Sequence, residues 1–275
     1  MNRSIRLIML IAALVQLVVA IGFFTQMPWT KTFWPFDYTD KLSFVFMASI
    51  AGAAAASTLW CLYTREERGL AGIALDYVFI FGPLAVFSWQ KYNRVPNSEL
   101  ILLIGAGVFG SLSGIALFLW SRRVPFRQTQ PTPRLVRIAF GVFIIALMLL
   151  GGALVLKTDG IMPWSLTSDA SVLYGWFFIG AAIYFVYGLL HPVWGNAGGQ
   201  LSGFLMYDLV LIIPFLLHFS NVRPKLVLNL IIYIAVLVAS GTVAAYYLFI
   251  NPATRLRRNH SAPAVAESMS QERAV

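Results

Sequence analysis

The sequence predicts an all-α polytopic membrane helix bundle of eight transmembrane helices, arranged as two parallel four-helix repeats. Three observations predict it. Of 275 residues, 59% are hydrophobic and 11% are charged, whereas soluble domains carry roughly 25% charged residues. Eight apolar blocks, each about the 20 residues needed to cross hydrocarbon, lie near 7–25, 42–63, 69–90, 99–121, 135–156, 170–190, 200–219 and 225–250. Finally, the second half of the chain echoes the first at a nearly constant offset.

The first block follows Arg3 and Arg6 and ends in the small-residue stretch Val18 to Ala20, which resembles a secretory signal. The echo argues for a retained helix, because Arg6-Leu7 is matched by Arg134-Leu135, 128 residues on. The same offset pairs Pro35 with Pro163, Thr39 with Thr167, Ser43 with Ser171, Gly52-Ala53-Ala54 with Gly180-Ala181-Ala182, and Pro96 with Pro224. Between these, Leu70, Gly72 and Pro83 match Leu201, Gly203 and Pro214 at offset 131, which implies a three-residue insertion around His191 to Gly199. The expected organisation is repeat A over 1–123, a linker over 124–133, repeat B over 134–251 and a disordered tail over 252–275. Four helices per copy is an even number, so both copies enter the bilayer from the same side.

Net charge is +9, but the Lys and Arg residues stand at the edges of apolar blocks and form no phosphate-binding face, which argues against nucleic acid as a partner. With the N-terminus inside, 13 of the 20 lie on the cytoplasmic side and 7 on the other. Both termini are therefore expected to be cytoplasmic and the bilayer to be the main partner. One cysteine, Cys61, excludes an intrachain disulfide. Small residues every fourth position, at Ala48, Gly52 and Ala56 and at Gly110 and Gly114, read as packing seams. Glu66 and Glu67, between Arg65 and Arg68, read as a solvated turn.

The first outer loop is aromatic: Phe23, Phe24, Trp29, Phe33, Trp34, Phe36 and Tyr38 accompany Pro28 and Pro35, and its counterpart, Ile161 to Leu166, holds Pro163 and Trp164. Such rings settle at the headgroup level as anchors, or form a lid over a cavity suited to a hydrophobic or cationic ligand. On Phe33-Trp34-Pro35-Phe36 with Thr39, and Met162-Pro163-Trp164-Ser165-Leu166-Thr167, the chain resembles a family of uncharacterised multi-pass proteins that repeat a Trp-Pro-aromatic outer motif before a Gly/Ala-rich helix. The resemblance implies the fold and no function. Trp34 lacks a tryptophan counterpart, since position 162 is methionine.

Chemistry is expected where the third and seventh blocks carry an acid and a proline. The substrate-binding candidates are Asp76, Tyr77 and Pro83, with Tyr207, Asp208 and Pro214, and His218 near the outer end of the seventh. A carboxyl inside hydrocarbon is costly and marks a functional position. Each proline releases a carbonyl four residues earlier, and interrupted helices at related places in two halves point to a transporter site. Both acids are expected some 10 to 12 Å from the cytoplasmic helix end. In strict alignment Asp76 falls opposite Tyr207 and Tyr77 opposite Asp208, a swap of about 100° around the helix. No metal-ligand spacing, nucleophile elbow or phosphate loop occurs, and no cofactor is expected.

Three readings follow. The first is a small-solute or proton-linked carrier or channel. The second is a membrane-embedded isomerase or cyclase acting on an isoprenoid or sterol-like lipid by acid catalysis. The third is a non-catalytic scaffold.

Overall fold

The structure, a computed structural model, describes residues 3–33 and 40–256. It contains nine α-helices among those residues: α1 (Arg3–Phe24), α2 (Pro28–Phe33), α3 (Lys41–Thr64), α4 (Leu70–Tyr92), α5 (Ser98–Ser121), α6 (Arg134–Val155), α7 (Ser168–Leu190), α8 (Trp194–Leu217) and α9 (Val227–Ala245). With their flanking turns, all except the short α2 are long and apolar enough to cross a membrane. The motif Trp34-Pro35-Phe36 with Thr39, and the tail from 257 onward, lie outside the described residues.

Local sequence sets the helix starts. Asp40, Asn97 and Thr167 each accept a backbone N–H of the first turn of α3, α5 and α7, satisfying donors that have no intrahelical partner. Arg65, at φ 60°, ends α3 in a left-handed cap.

Four helices form the centre. α3 packs on α8 and α4 on α7, while α1, α5, α6 and α9 lie outside on α3, α4, α7 and α8. This pairing is unchanged when α1, α3, α4 and α5 are exchanged in order for α6, α7, α8 and α9. Within each half the central helices barely meet.

Glycine allows the close seams. A Cβ on Gly198 of α8 would collide with the Trp60 indole of α3, and one on Gly72 of α4 would lie 2.6 Å from the Tyr184 ring of α7. Gly110 and Gly114 meet Phe81 and Ala74 across α4 and α5, as the small-residue pattern predicts.

α8 begins at Trp194, six residues before the apolar block suggests. The segment 194–200, expected as part of an insertion, is helical and buried. Its glycines fit against α3, and its amide nitrogens are bound: Asn196 Nδ2 donates to the Tyr187 carbonyl at 3.2 Å and Gln200 Nε2 to that of Tyr184 at 2.5 Å. The expected interruptions at Pro83 and Pro214 also do not occur; α4 and α8 run through their prolines as continuous helices.

Three further expectations are corrected. Trp164 is not an interfacial anchor: it is buried against Phe46 and Phe215, and its Nε1 donates to Ser43 Oγ at 3.1 Å. The start of the tail folds back, since the Thr254 hydroxyl donates to the Tyr247 carbonyl at 2.7 Å and the Leu256 N–H to that of Leu248 at 2.9 Å. Glu66 is 0% exposed rather than solvated. It accepts the backbone N–H groups of Arg127 at 3.0 Å and Gln128 at 2.6 Å, so it holds the linker between the halves onto the α3–α4 turn. Around it the Arg68 guanidinium lies 5.6 Å from the Phe126 ring centroid.

Burial pushes Glu66 above its ordinary value of 4.5, while the two N–H groups and Arg127 pull it down. A proton is therefore held more tightly in the folded chain, and the linked stability is full below about pH 4.5 and declines as pH rises through the native value. Glu66→Ala orphans two N–H groups at about 1–3 kcal/mol each, and is expected to lower the thermal midpoint in detergent. Glu66→Gln keeps an acceptor and the neutral charge state, so its loss should be under half as large; equal losses would show that the hydrogen bonds are not what holds the linker.

Candidate functional site: an intramembrane cavity bearing two carboxyls

The loose seam between α7 and α8 leaves a cavity of about 440 Å³, walled by α3, α4, α6, α7, α8 and α9. Its volume is that of a small-ligand site. The wall is mostly apolar, and the polar groups in it are few.

Asp76 enters from α4, with Oδ1 buried and without a hydrogen-bond partner. The atom sits against Gly180 of α7, 2.7 Å from where a Cβ would stand. Asp208 enters from α8 and is 4% exposed. Its Oδ2 lies 2.9 Å from Ser240 Oγ on α9, and its Oδ1 is buried without a partner. Ser240 Oγ is also 2.7 Å from the Val236 carbonyl. A hydroxyl has one proton to give, so when Ser240 bonds the backbone, its bond to Asp208 requires a proton on the carboxyl. Neither acid has a cation beside it among the described residues.

The one-position swap read from the sequence has a structural consequence. Asp76 faces α7 in the central seam, whereas Asp208 faces the outer helix α9. They also stand at different levels. Gln200 is level with Tyr184, which places Phe204 beside Gly180 and hence beside Asp76, with Asp208 a turn further on. Counted instead from the contact of Gly69 with Gly195, the step is nearer six residues. The two stations are therefore separated by roughly 6 to 9 Å along the bundle axis. The shared depth expected from the sequence fails because α8 starts earlier.

Of the other candidates, Tyr207 lines the cavity, its hydroxyl bonded to that of Tyr233 on α9. Tyr77, Pro83, Pro214 and His218 are not on its wall. Tyr77 turns the other way, to Gln16 of α1, because it is one residue and thus about 100° from Asp76. Both prolines lie further along their helices, and His218 is buried in the turn after α8. Sequence reading missed Gln200, Tyr233 and Ser240. Gln200 hid in a stretch resembling a loop; Tyr233 and Ser240 sit seven apart on one face of α9, a spacing that could have flagged them.

Fold and site define a class: multi-pass helical membrane proteins with an acid-bearing cavity inside the bundle. Comparison with family models, with curated proteins and with solved structures finds no match.

The two glycines facing the acids give opposite expectations. A Cβ at Gly180 meets Asp76 Oδ1 at 2.7 Å and Ile80 Cγ1 at 2.8 Å, whereas at Gly241 the nearest atom, Asp208 Oδ2, is 3.4 Å away. Gly180→Ala should destabilise by about 1–3 kcal/mol through overpacking. Gly241→Ala should be neutral or stabilise by up to about 1 kcal/mol through helix propensity. Chemical unfolding in mixed micelles checks both, and equal effects would contradict the seam geometry.

Proposed function

We propose that this protein is a small proton-linked carrier, in which two related four-helix halves enclose a cavity for a small solute and Asp76 and Asp208 act as exchangeable stations. The observation that carries this reading is that carboxyls from different halves line one cavity with no cation beside either among the described residues. A buried carboxyl in apolar surroundings must bind a proton, a cation or water. The titratable groups that share the cavity wall with them are tyrosines: Tyr184 on the side of Asp76, and Tyr207 and Tyr233 beside Asp208.

The exchange-invariant helix pairing supports a parallel duplication. So do Gly52 and Gly180, 128 apart, which admit α8 and α4 respectively. On this reading the basic end, with the start of α1 and the α5–α6 linker, faces the cytoplasm, as do both termini. The duplication is broken where it matters. Gln16 of α1 reaches across to Tyr77 of α4, and its counterpart at offset 128 is Ile144, so α6 makes no such bond to α8 and the space there stays open.

A membrane-embedded isomerase or cyclase is the second reading, favoured by the aromatic walls Phe143, Phe177, Phe178 and Phe204. The axial step between the carboxyls favours successive stations over joint acid–base work on one carbon.

In proteoliposomes loaded with a pH-reporting dye, addition of a transported solute should move protons. The isosteric Asp76→Asn, Asp208→Asn double variant should reconstitute equally well and lose at least nine-tenths of that signal. Undiminished flux in the double variant would remove both acids from the mechanism.

A further inference from the structure

The cavity has a mouth, and its position names a ligand class. Three cavity-lining residues are exposed: Ala146 on α6, and Ile232 and Val236 on α9, the last two 54% and 42%. α6 packs on α7 and α9 on α8, but α6 and α9 are not packed on each other. Ala146 and Val236 lie near the middle of their spans and Ile232 a turn from Val236. The opening therefore faces the hydrocarbon at mid-depth, not water at either end.

The interior is incomplete in one chemical sense. Asp76 Oδ1, Asp208 Oδ1 and Gln200 Oε1 are all buried, all on this cavity wall and all without a partner. Of the nearby donors, Gln200 Nε2 bonds the Tyr184 carbonyl and Ser240 is shared between Asp208 and its own helix backbone, which leaves the Tyr184 hydroxyl as an unpartnered donor on the same wall. Three unpartnered acceptors outnumber that one hydroxyl, so the wall is short of hydrogen-bond donors and of positive charge. A neutral alcohol supplies one donor and a fatty acid adds a third carboxyl, whereas an ammonium supplies three donors and the counter-charge. The rest of the wall, aromatic and aliphatic, suits an apolar tail and the face of a cation.

We propose that the cavity takes a lipid-soluble amine, an ammonium headgroup on an apolar tail, which enters sideways from the bilayer between α6 and α9 and exchanges against protons at Asp208 and Asp76. This rests on the carrier reading and gives it a substrate class.

The test titrates full-length protein in lipid nanodiscs with decylamine, decanol and decanoate, using empty nanodiscs as the blank. Decylamine should bind at least tenfold more tightly than either chain-matched analogue, and Asp76→Asn, Asp208→Asn should reduce that preference to under twofold. Equal or tighter binding of decanol or decanoate overturns the amine class while leaving the cavity a binding site. Saturable binding of none of the three overturns the amine proposal, while the proton-flux assay decides the carrier reading separately. The headgroup series on the unaltered protein decides the class even if the double variant fails to fold. A decylamine carrying a photoreactive diazirine at its tail should crosslink to α6 and α9 around Ala146, Ile232 and Val236; crosslinks confined to the helix ends would overturn lateral entry.

Discussion

The close approach of helices across the two halves is the constraint on which the rest of this architecture depends. In hydrocarbon there is no hydrophobic force between helices, so association relies on van der Waals fit and on polar groups that find partners. Here that fit lies at Gly198 and Gly203 of α8 against Trp60 and Ser57 of α3, and at Gly72 of α4 and Gly180 of α7 against Tyr184 and Asp76. Because the central helices are tied across the halves, the two central helices within a half, α3 with α4 and α7 with α8, barely meet. The cavity lies at the second of these pairs.

Polarity inside the bundle follows the same logic. Part of it ties helices together: Asn196 and Gln200 bond α8 through their amide nitrogens to the carbonyls ending α7, and Tyr174 and Trp164 close on Ser43. The buried acceptors on the cavity wall are different. They are surrounded by apolar side chains that could have been apolar too, and an unpaired buried acceptor is costly. Their retention on one wall, from both halves, is what separates a site from a packing accident.

The duplication proposed above accounts for where the open space lies and for its occurring once. A glutamine on α1 bonds the tyrosine beside Asp76, whereas the corresponding residue on α6 is isoleucine. Gln16 thus ties α1 to α4, and no such side-chain bond joins α6 to α8 among the described residues. The buried Glu66 does comparable work at the basic end, where it joins the turn of one half to the linker leading into the other.

Much of this was legible in the chain alone, because hydrocarbon imposes simple demands. Eight apolar runs of spanning length, the edges at which Arg and Lys gather, and the small-residue faces follow from length and periodicity. So did Asp76, Tyr207 and Asp208, since polarity in an apolar run is conspicuous. Tertiary structure decided what periodicity cannot encode. It made 194–200 a buried helix rather than a loop, because glycines that weaken an isolated helix strengthen a packed one. It carried α4 and α8 unbroken through Pro83 and Pro214, turned Tyr77 away from Asp76, and set the two acids at different levels. Each of those outcomes depends on which neighbour a helix face meets, and that information resides in contacts between residues far apart in the chain.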